Sequence, residues 1–260
     1  MKRTPIQLDF SQFPTEFHDL LTAPVFDSSC STDARVYYID RDGGLFLKSA
    51  PAGTLQKEAE MDRFFYEKGI GPQVLFYCSN HRDWLLTTAV PGEDCLHEKY
   101  MADPQQLCDT TALLLRQLHE MPIDGCPVAD RTADYISTAE ENFRTGRYDA
   151  TLFPDNWGYA SAEEAIAVVR EFAPVLKSDT LLHGDYCLPN ILLQDWKLSG
   201  FIDLGAGGVG DRHIDLFWGV WSLFFNLKTD AWGDRFLDVY GRDKIDKAIL
   251  NAIGAFEVFG

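Results

Sequence analysis

The sequence predicts an α+β protein in two unequal parts, a strand-rich part over 1–90 and a mainly helical part over 91–260. Two observations lead there. Short apolar runs separated by turn residues fill most of the first ninety positions, the mark of strands. After VPGED (90–94) the apolar residues recur at three- and four-residue spacing, the period of a helix. At 260 residues the chain is long enough for one large domain or for two lobes with a shared cleft.

In the first part, RVYYI (35–39) and LFLKS (45–49) flank RDGG, whose Asp-Gly suits a tight hairpin turn. TLQKEAEMDRFFYEKG (54–69) is rich in Glu, Lys and Leu, and Gly69 is placed to stop a helix there. VLFYCS (74–79) and WLLTT (84–88) are two further strands joined by a polar turn. Together they make a small antiparallel sheet with one helix. In the second part, Asp103 and Pro104 are good N-cap and first-turn residues. Leu107, Thr111, Leu114, Leu115 and Leu118 then follow at helical spacing, as a core stripe does. Ser161 and Glu164 have capping-box spacing and open AEEAIAVVREFAPVL. Asp211 to Leu227, dense in Trp and Phe, predicts a buried helix.

Composition excludes several classes of partner. The formal net charge of -17 argues against nucleic acid, whose phosphates need Lys and Arg, and permits a cationic ligand. The six cysteines form no CxxC pair, so a thiolate zinc site is not expected and free thiols in a reducing cytoplasm are. MKRTPIQLDFSQF lacks the apolar core of a signal peptide, and no apolar run approaches the roughly 20 residues of a membrane helix. A cytoplasmic monomer or weak homodimer, binding neither membrane nor nucleic acid, is the expectation.

The chemistry concentrates in HGDYCLPNILLQDWKLSGFIDLG, from His183 to Gly205. NILLQ and SGFID read as the strands of a hairpin with its turn near Asp195 to Leu198, which brings Asn190 and Asp203 to the same end. Both are oxygen ligands of the kind Mg²⁺ takes, one or two from the protein and the rest from substrate phosphates. Asp185, five residues before Asn190, can accept a proton from a hydroxyl without binding metal. H-G-D-x-x-x-x-N followed by I-D-x-G resembles the catalytic-loop and metal-binding parts of kinases. Those also need a cation at the phosphates held by a carboxylate. Lys48, at the end of a strand, and Glu58, in the next helix, have that relation. Rival chemistries lack their parts: the chain has no G-x-x-x-x-G-K-[ST], no H-E-x-x-H and no G-x-S-x-G.

KEAE, VPGED, LRQLHEMPIDGCP, HGDYCLPNILL, SGFIDLGAGGVGDRHIDL and DRFLDVYG, in that order, resemble the aminoglycoside 3'-phosphotransferases, small bilobal kinases with a protein-kinase-like fold. The resemblance implies ATP or GTP with Mg²⁺ between the lobes, and a cationic aminosugar or other small hydroxylated substrate. It implies that Asp185 is the catalytic aspartate, that Asn190 and Asp203 hold Mg²⁺, and that Lys48 binds the phosphates with Glu58 orienting it. Phe46 would stack on the base, Thr88 to Val90 form the hinge at its edge, and Ser31 and Thr32 cover the phosphates. Asp215 and His183 would support the catalytic loop, and Glu257 and Asp155 would meet the acceptor. Nine acidic and four basic residues between Val128 and Val175 suit a cationic acceptor. The chain departs from the family at Phe256, where an aspartate is expected, at Ala206, where an arginine is, and at Gly260, one residue past the expected end. Three readings stay open: a resistance kinase acting on aminoglycosides, a kinase of another small hydroxylated metabolite, or a nucleotide-binding protein with little transferase activity.

Overall fold

The structure, a computed structural model, describes residues 3–30, 34–148 and 158–260. It divides into two compact units, Met1–Cys95 with Pro189–Gly205, and Leu96–Leu188 with Ala206–Gly260.

The first unit holds an antiparallel sheet that has six strands among the described residues: β1 (Thr4–Pro5), β2 (Val25–Asp27), β3 (Arg35–Ile39), β4 (Leu45–Pro51), β5 (Val74–Ser79) and β6 (Arg82–Thr88). Their spatial order is β1-β2-β3-β4-β6-β5. Sequence patterning shows the last four. β1 and β2 span two and three residues, too short to display a period. Side chains of β4 alternate between faces. Leu45 and Leu47 enter a core with Phe17, Ile39, Trp84 and Leu86, so Phe46 and Lys48 lie on the opposite face.

Helix α1 (Gln56–Glu67) has no capping side chain of its own. Buried Asp83 on β6 takes that part, accepting the N–H groups of Gly53 and Leu55 at 2.8 Å each. The helix ends at Gly69 with φ 72°, where Ile70 N–H reaches back to Phe65 O at 3.0 Å, a left-handed C-cap.

A three-stranded sheet of order β10-β9-β7 completes this unit, from β7 (Glu93–Asp94), β9 (Ile191–Gln194) and β10 (Lys197–Phe201). Asp195 and Trp196, at φ 49° and 64°, form the two-residue turn. Both lie in the left-handed region that a hairpin of native twist requires. Residues 189–205 join the unit through Phe201 N–H to Ile70 O at 2.8 Å and Cys95 N–H to Ile191 O at 3.1 Å.

The second unit is helical: α2 (Glu98–Met101), α3 (Pro104–His119), α4 (Arg131–Thr145), α5 (Ala162–Phe172), α6 (His213–Leu227), α7 (Gly233–Tyr240) and α8 (Lys247–Glu257). A short pair, β8 (Thr180–Leu182) and β11 (Gly208–Gly210), accompanies them. Asp103 caps α3 by accepting Gln106 N–H at 3.0 Å, and Ser161 caps α5 by accepting Glu164 N–H at 3.2 Å. The Glu164 carboxylate returns to Ala160 N–H at 2.7 Å rather than to the cap residue itself. Tyr135, Ile166, Val169, Leu182, Ile253 and Phe256 are among the core residues. Helix α6 is less buried than its composition predicts. Leu216 and Leu223 are fully buried, yet Phe224 and Phe225 are half exposed, because the helix is apolar nearly all round and buried along one side. Among the described residues no helix is long and apolar enough to cross a membrane. All six cysteines are free thiols.

Candidate active site

In the first unit, three charged side chains from distant parts of the chain meet. Lys48 Nζ on β4 donates to both carboxylate oxygens of Glu58 on α1, at 2.9 and 2.8 Å, and to Asp203 Oδ1 at 3.0 Å. Burial works against the ammonium, but the charges of Glu58 and Asp203 outweigh it, and the Lys48 pKa is raised. Burial pushes Glu58 up as well, with the ammonium holding against it. Asp203 adopts φ 61°, a left-handed conformation that costs energy in a non-glycine residue, and its carboxylate is more than half exposed. Asn190 is buried at the start of the same hairpin, and its carbonyl accepts Ile202 N–H at 3.1 Å. Asn190 and the segment carrying Asp203 therefore leave the hairpin at one end.

The donor set suits Mg²⁺. Among the described residues no group of three or more His, Cys, Asp and Glu could hold a metal. A site of one carboxylate and one amide needs phosphate oxygens to complete it, as Mg²⁺ sites in kinases do. Asp203 already accepts a cation, the Lys48 ammonium, so its environment tolerates positive charge.

Asp62 joins this cluster without a signal in the sequence. It lies one turn beyond Glu58, is 2% exposed, and its Oδ1 has no hydrogen-bond partner. Burial, and then the charge of Glu58, push its pKa well above the ordinary value, which favours the protonated form in the fold. An acid whose pKa is higher folded than unfolded holds a proton that the unfolded chain releases. Stability therefore falls as pH rises above the unfolded value of about 4. Asp62→Leu is expected to stabilise the protein by about 1–3 kcal/mol at pH 7, the cost of a buried unsatisfied polar group. The gain should shrink as pH approaches about 4. Urea unfolding across pH measures it, and a variant no more stable than the parent at pH 7 contradicts this account.

Of the other residues predicted for the nucleotide, Phe46 shares a strand face with Lys48 and packs on Tyr38, ring centroids 5.3 Å apart. Thr88 is tied to Gln73, donating its N–H to Gln73 O and accepting Gln73 N–H on its hydroxyl, both at 3.0 Å. Ala89 N–H donates to Gly44 O at 2.8 Å, and Val90 packs beside Gly200. Ser31, Thr32 and Asp155 lie outside the described residues.

In the second unit, β8 runs into His183, Gly184 and Asp185. Fully buried Asp215 on α6 accepts the N–H groups of His183 and Gly184, each at 2.7 Å. Gly184 has φ 87°, and a Cβ there would lie 1.9 Å from the carbonyl oxygen of Ala206. No other residue fits. The Asp215 carboxylate can only accept, so His119 Nε2–H donates to it at 3.1 Å and His119 Nδ1 accepts from the Tyr240 hydroxyl at 2.8 Å. Burial lowers the His119 pKa and keeps the ring neutral. Further on, the Tyr186 hydroxyl donates to Thr111 O at 2.7 Å and Leu188 N–H to Ser222 Oγ at 2.9 Å. Asp185 is partly exposed on a loop whose backbone is held on both sides.

Sequence reasoning missed His119 and Tyr240 as supports. A signal for His119 existed: it continues the stripe of Thr111, Leu115 and Leu118, and a histidine on a core stripe needs a buried partner.

Glu257, near the end of α8, accepts the Tyr135 hydroxyl at 2.6 Å and Trp218 Nε1–H at 3.0 Å. Burial raises its pKa to about 7, so an ammonium placed on it would draw it fully into the carboxylate form. Phe256 beside it is fully buried and stacks on Tyr135 at 5.1 Å. That position is part of the core and presents no charge. At Ala206 the main-chain oxygen accepts Arg131 Nε–H at 2.8 Å.

Comparison with known proteins identifies the family and the fold. A model of the phosphotransferase enzyme family matches residues 29–250. The chain is similar to a probable aminoglycoside 3'-phosphotransferase of Lactococcus lactis subsp. lactis, 44% identical over 98% of both chains. Its fold is similar to that of an aminoglycoside 3'-phosphotransferase of type VIII. The TM-score is 0.73 and the identity 24%, over 99% of this chain and 94% of that one. It is also similar to an aminoglycoside phosphotransferase of Streptomyces rimosus in complex with ADP and streptomycin. There the TM-score is 0.68 and the identity 22%, over 96% and 99% of the two chains. With a family model over most of its length and a relative of this identity end to end, the chain belongs to the phosphotransferase enzyme family, within the aminoglycoside 3'-phosphotransferases.

Proposed function

We propose that this protein moves the γ-phosphoryl group of ATP to the 3'-hydroxyl of an aminoglycoside and so confers resistance to it. The observation that carries the proposal is the Lys48 ammonium between Glu58 at 2.8 Å and Asp203 at 3.0 Å, in a chain whose HGD loop is braced from below by Asp215. Phosphoryl transfer needs little covalent help from protein and much positioning and charge stabilisation.

Asp185 orients the acceptor hydroxyl and takes its proton as the new P–O bond forms and the bond to the ADP oxygen breaks. Lys48, aimed by Glu58, moves from Asp203 onto the nucleotide phosphates. Asn190 and Asp203 would hold Mg²⁺, which supplies positive charge to the phosphoryl oxygens when bound. Phe46 lies against the base. Asp215 and His119 fix the loop, so that Asp185 does not reorganise during the reaction. Glu257 accepts an ammonium of the acceptor. The aminoglycoside 3'-phosphotransferase name of the Lactococcus relative, and the ADP and streptomycin bound by the Streptomyces rimosus protein, support both the nucleotide and the class of acceptor.

A coupled assay with ATP and with GTP, against aminoglycosides that carry or lack a 3'-hydroxyl, tests the reading. Turnover is expected only with the hydroxyl present. Nucleotide binding without turnover of any aminoglycoside would overturn it. Weight would then pass to a kinase of another small metabolite, the reading that the uncharged, buried Phe256 favours.

A further inference from the structure

Helix α6 carries a feature that nucleotide chemistry does not use. Trp218, Trp221 and Phe225 are spaced by three and four residues, so they stand on one face of the helix. Trp218 meets Trp221 edge to face at 5.3 Å, and Trp221 stacks on Phe225 at 4.8 Å with 12° between the rings. The row begins at the carboxylate of Glu257, which accepts Trp218 Nε1–H at 3.0 Å, and ends at Phe225, 49% exposed.

The outer ring holds a cation. Lys228 caps α6 in a left-handed conformation, φ 57°, and its Nζ lies 4.1 Å from the centroid of Phe225. An ammonium over an aromatic face is attracted by the negative face of the ring, more strongly as water is excluded. The ring face thus accommodates an ammonium group. A carboxylate at one end and a cation-binding ring at the other, in a protein of net charge -17, match a ligand with several ammonium groups on saturated rings whose C–H groups can face an aromatic ring.

We propose that the Phe225 face that Lys228 covers, backed by the stack of Trp221 and Trp218, is a platform for an amino-bearing ring of the acceptor, with Lys228 as the internal cation it displaces. The proposal rests on the aminoglycoside reading above and adds a binding surface to it. Aromatic faces contribute attraction without fixed hydrogen-bond geometry. The platform therefore tolerates acceptors of different substitution, while the hydroxyl at Asp185 stays the point of discrimination. Removing Lys228 frees the ring and strengthens acceptor binding. Removing the ring weakens it. Neither change touches the phosphoryl-transfer residues.

The test titrates tryptophan fluorescence with kanamycin alone, without nucleotide, and runs steady-state kinetics beside it. Phe225→Leu is expected to raise both Kd and KM for kanamycin about fivefold to thirtyfold, with kcat within about threefold of wild type. Lys228→Met is expected to lower both about twofold to fivefold. Phe225 is half exposed, so Phe225→Leu should fold, and circular dichroism checks that it does. Unchanged Kd and KM in both variants, with the wild type turning over, overturn the platform and leave the phosphotransferase reading intact. Kanamycin binding that depends on Phe225, without turnover of any aminoglycoside, overturns that reading and leaves the platform. A concentration-dependent dimer that Phe225→Leu dissolves would assign the row to a second copy of the chain, and so overturns the platform too.

Discussion

Asp185→Ala is expected to lower turnover by roughly 10²–10⁴-fold, the range for loss of a positioned general base, while leaving the melting temperature within about a degree of wild type. The two halves of this expectation have separate causes. Asp185 contributes a partly exposed carboxylate, and the loop around it is held by other groups. Asp215 takes the N–H groups of His183 and Gly184, Tyr186 reaches Thr111, and Ser222 takes Leu188 N–H. None of these bonds is lost with the Asp185 side chain. Asp215→Ala would differ, since it strands two buried N–H groups and the ring of His119 and should unfold the loop. A coupled assay and a thermal melt on the same Asp185→Ala preparation decide the matter. Turnover within tenfold of wild type would remove Asp185 from the mechanism.

Lys48→Met is expected to abolish detectable turnover and also to destabilise the fold, by about 2–3 kcal/mol at pH 7. The cost of orphaning one partner of a fully buried pair is about 3–5 kcal/mol, reduced here because Lys48 and Asp203 keep some contact with water. The variant leaves Glu58 buried with no ammonium, so burial raises its pKa unopposed. The folded chain then holds a proton that the unfolded chain releases above about pH 4, and the deficit relative to wild type grows as pH rises from there. In acid the two proteins should converge. Lys48→Met combined with Glu58→Leu removes the stranded carboxylate. It is expected to recover most of the stability and none of the activity. Urea unfolding at several pH values, with activity measured alongside, separates the two roles. If the double variant stays as unstable as the single one, the pair is not what holds this part of the fold.

Much of the architecture is legible from short-range chemistry. Asp103 with Pro104, Ser161 with Glu164, and Gly69 mark helix ends because capping is settled within four residues of a terminus. The alternation in LFLKS places Leu45 and Leu47 inside and Phe46 and Lys48 outside, since a strand has period two. The hairpin that carries Asn190 and Asp203 to one end follows from two apolar runs and a polar turn, although its turn sits at Asp195–Trp196, tighter than the residue types indicate. Helix α1 starts on Asp83, a residue nearly thirty positions away, and no local pattern shows such a cap.

Residue order and local pattern carry the kinase motif, the helix ends and the strand faces, because each depends on neighbours in the chain. They do not say that Lys48 lies within 3.0 Å of Asp203, 155 positions later, that Asp62 is left buried beside Glu58, or that His119 stands under Asp215. Nor do they say that the aromatic helix α6 turns Trp218, Trp221 and Phe225 into a continuous row from Glu257 to Lys228. Burial and electrostatics act through space. Which carboxylate is paired, which is protonated and which aromatic faces water is settled by elements brought together from far along the chain.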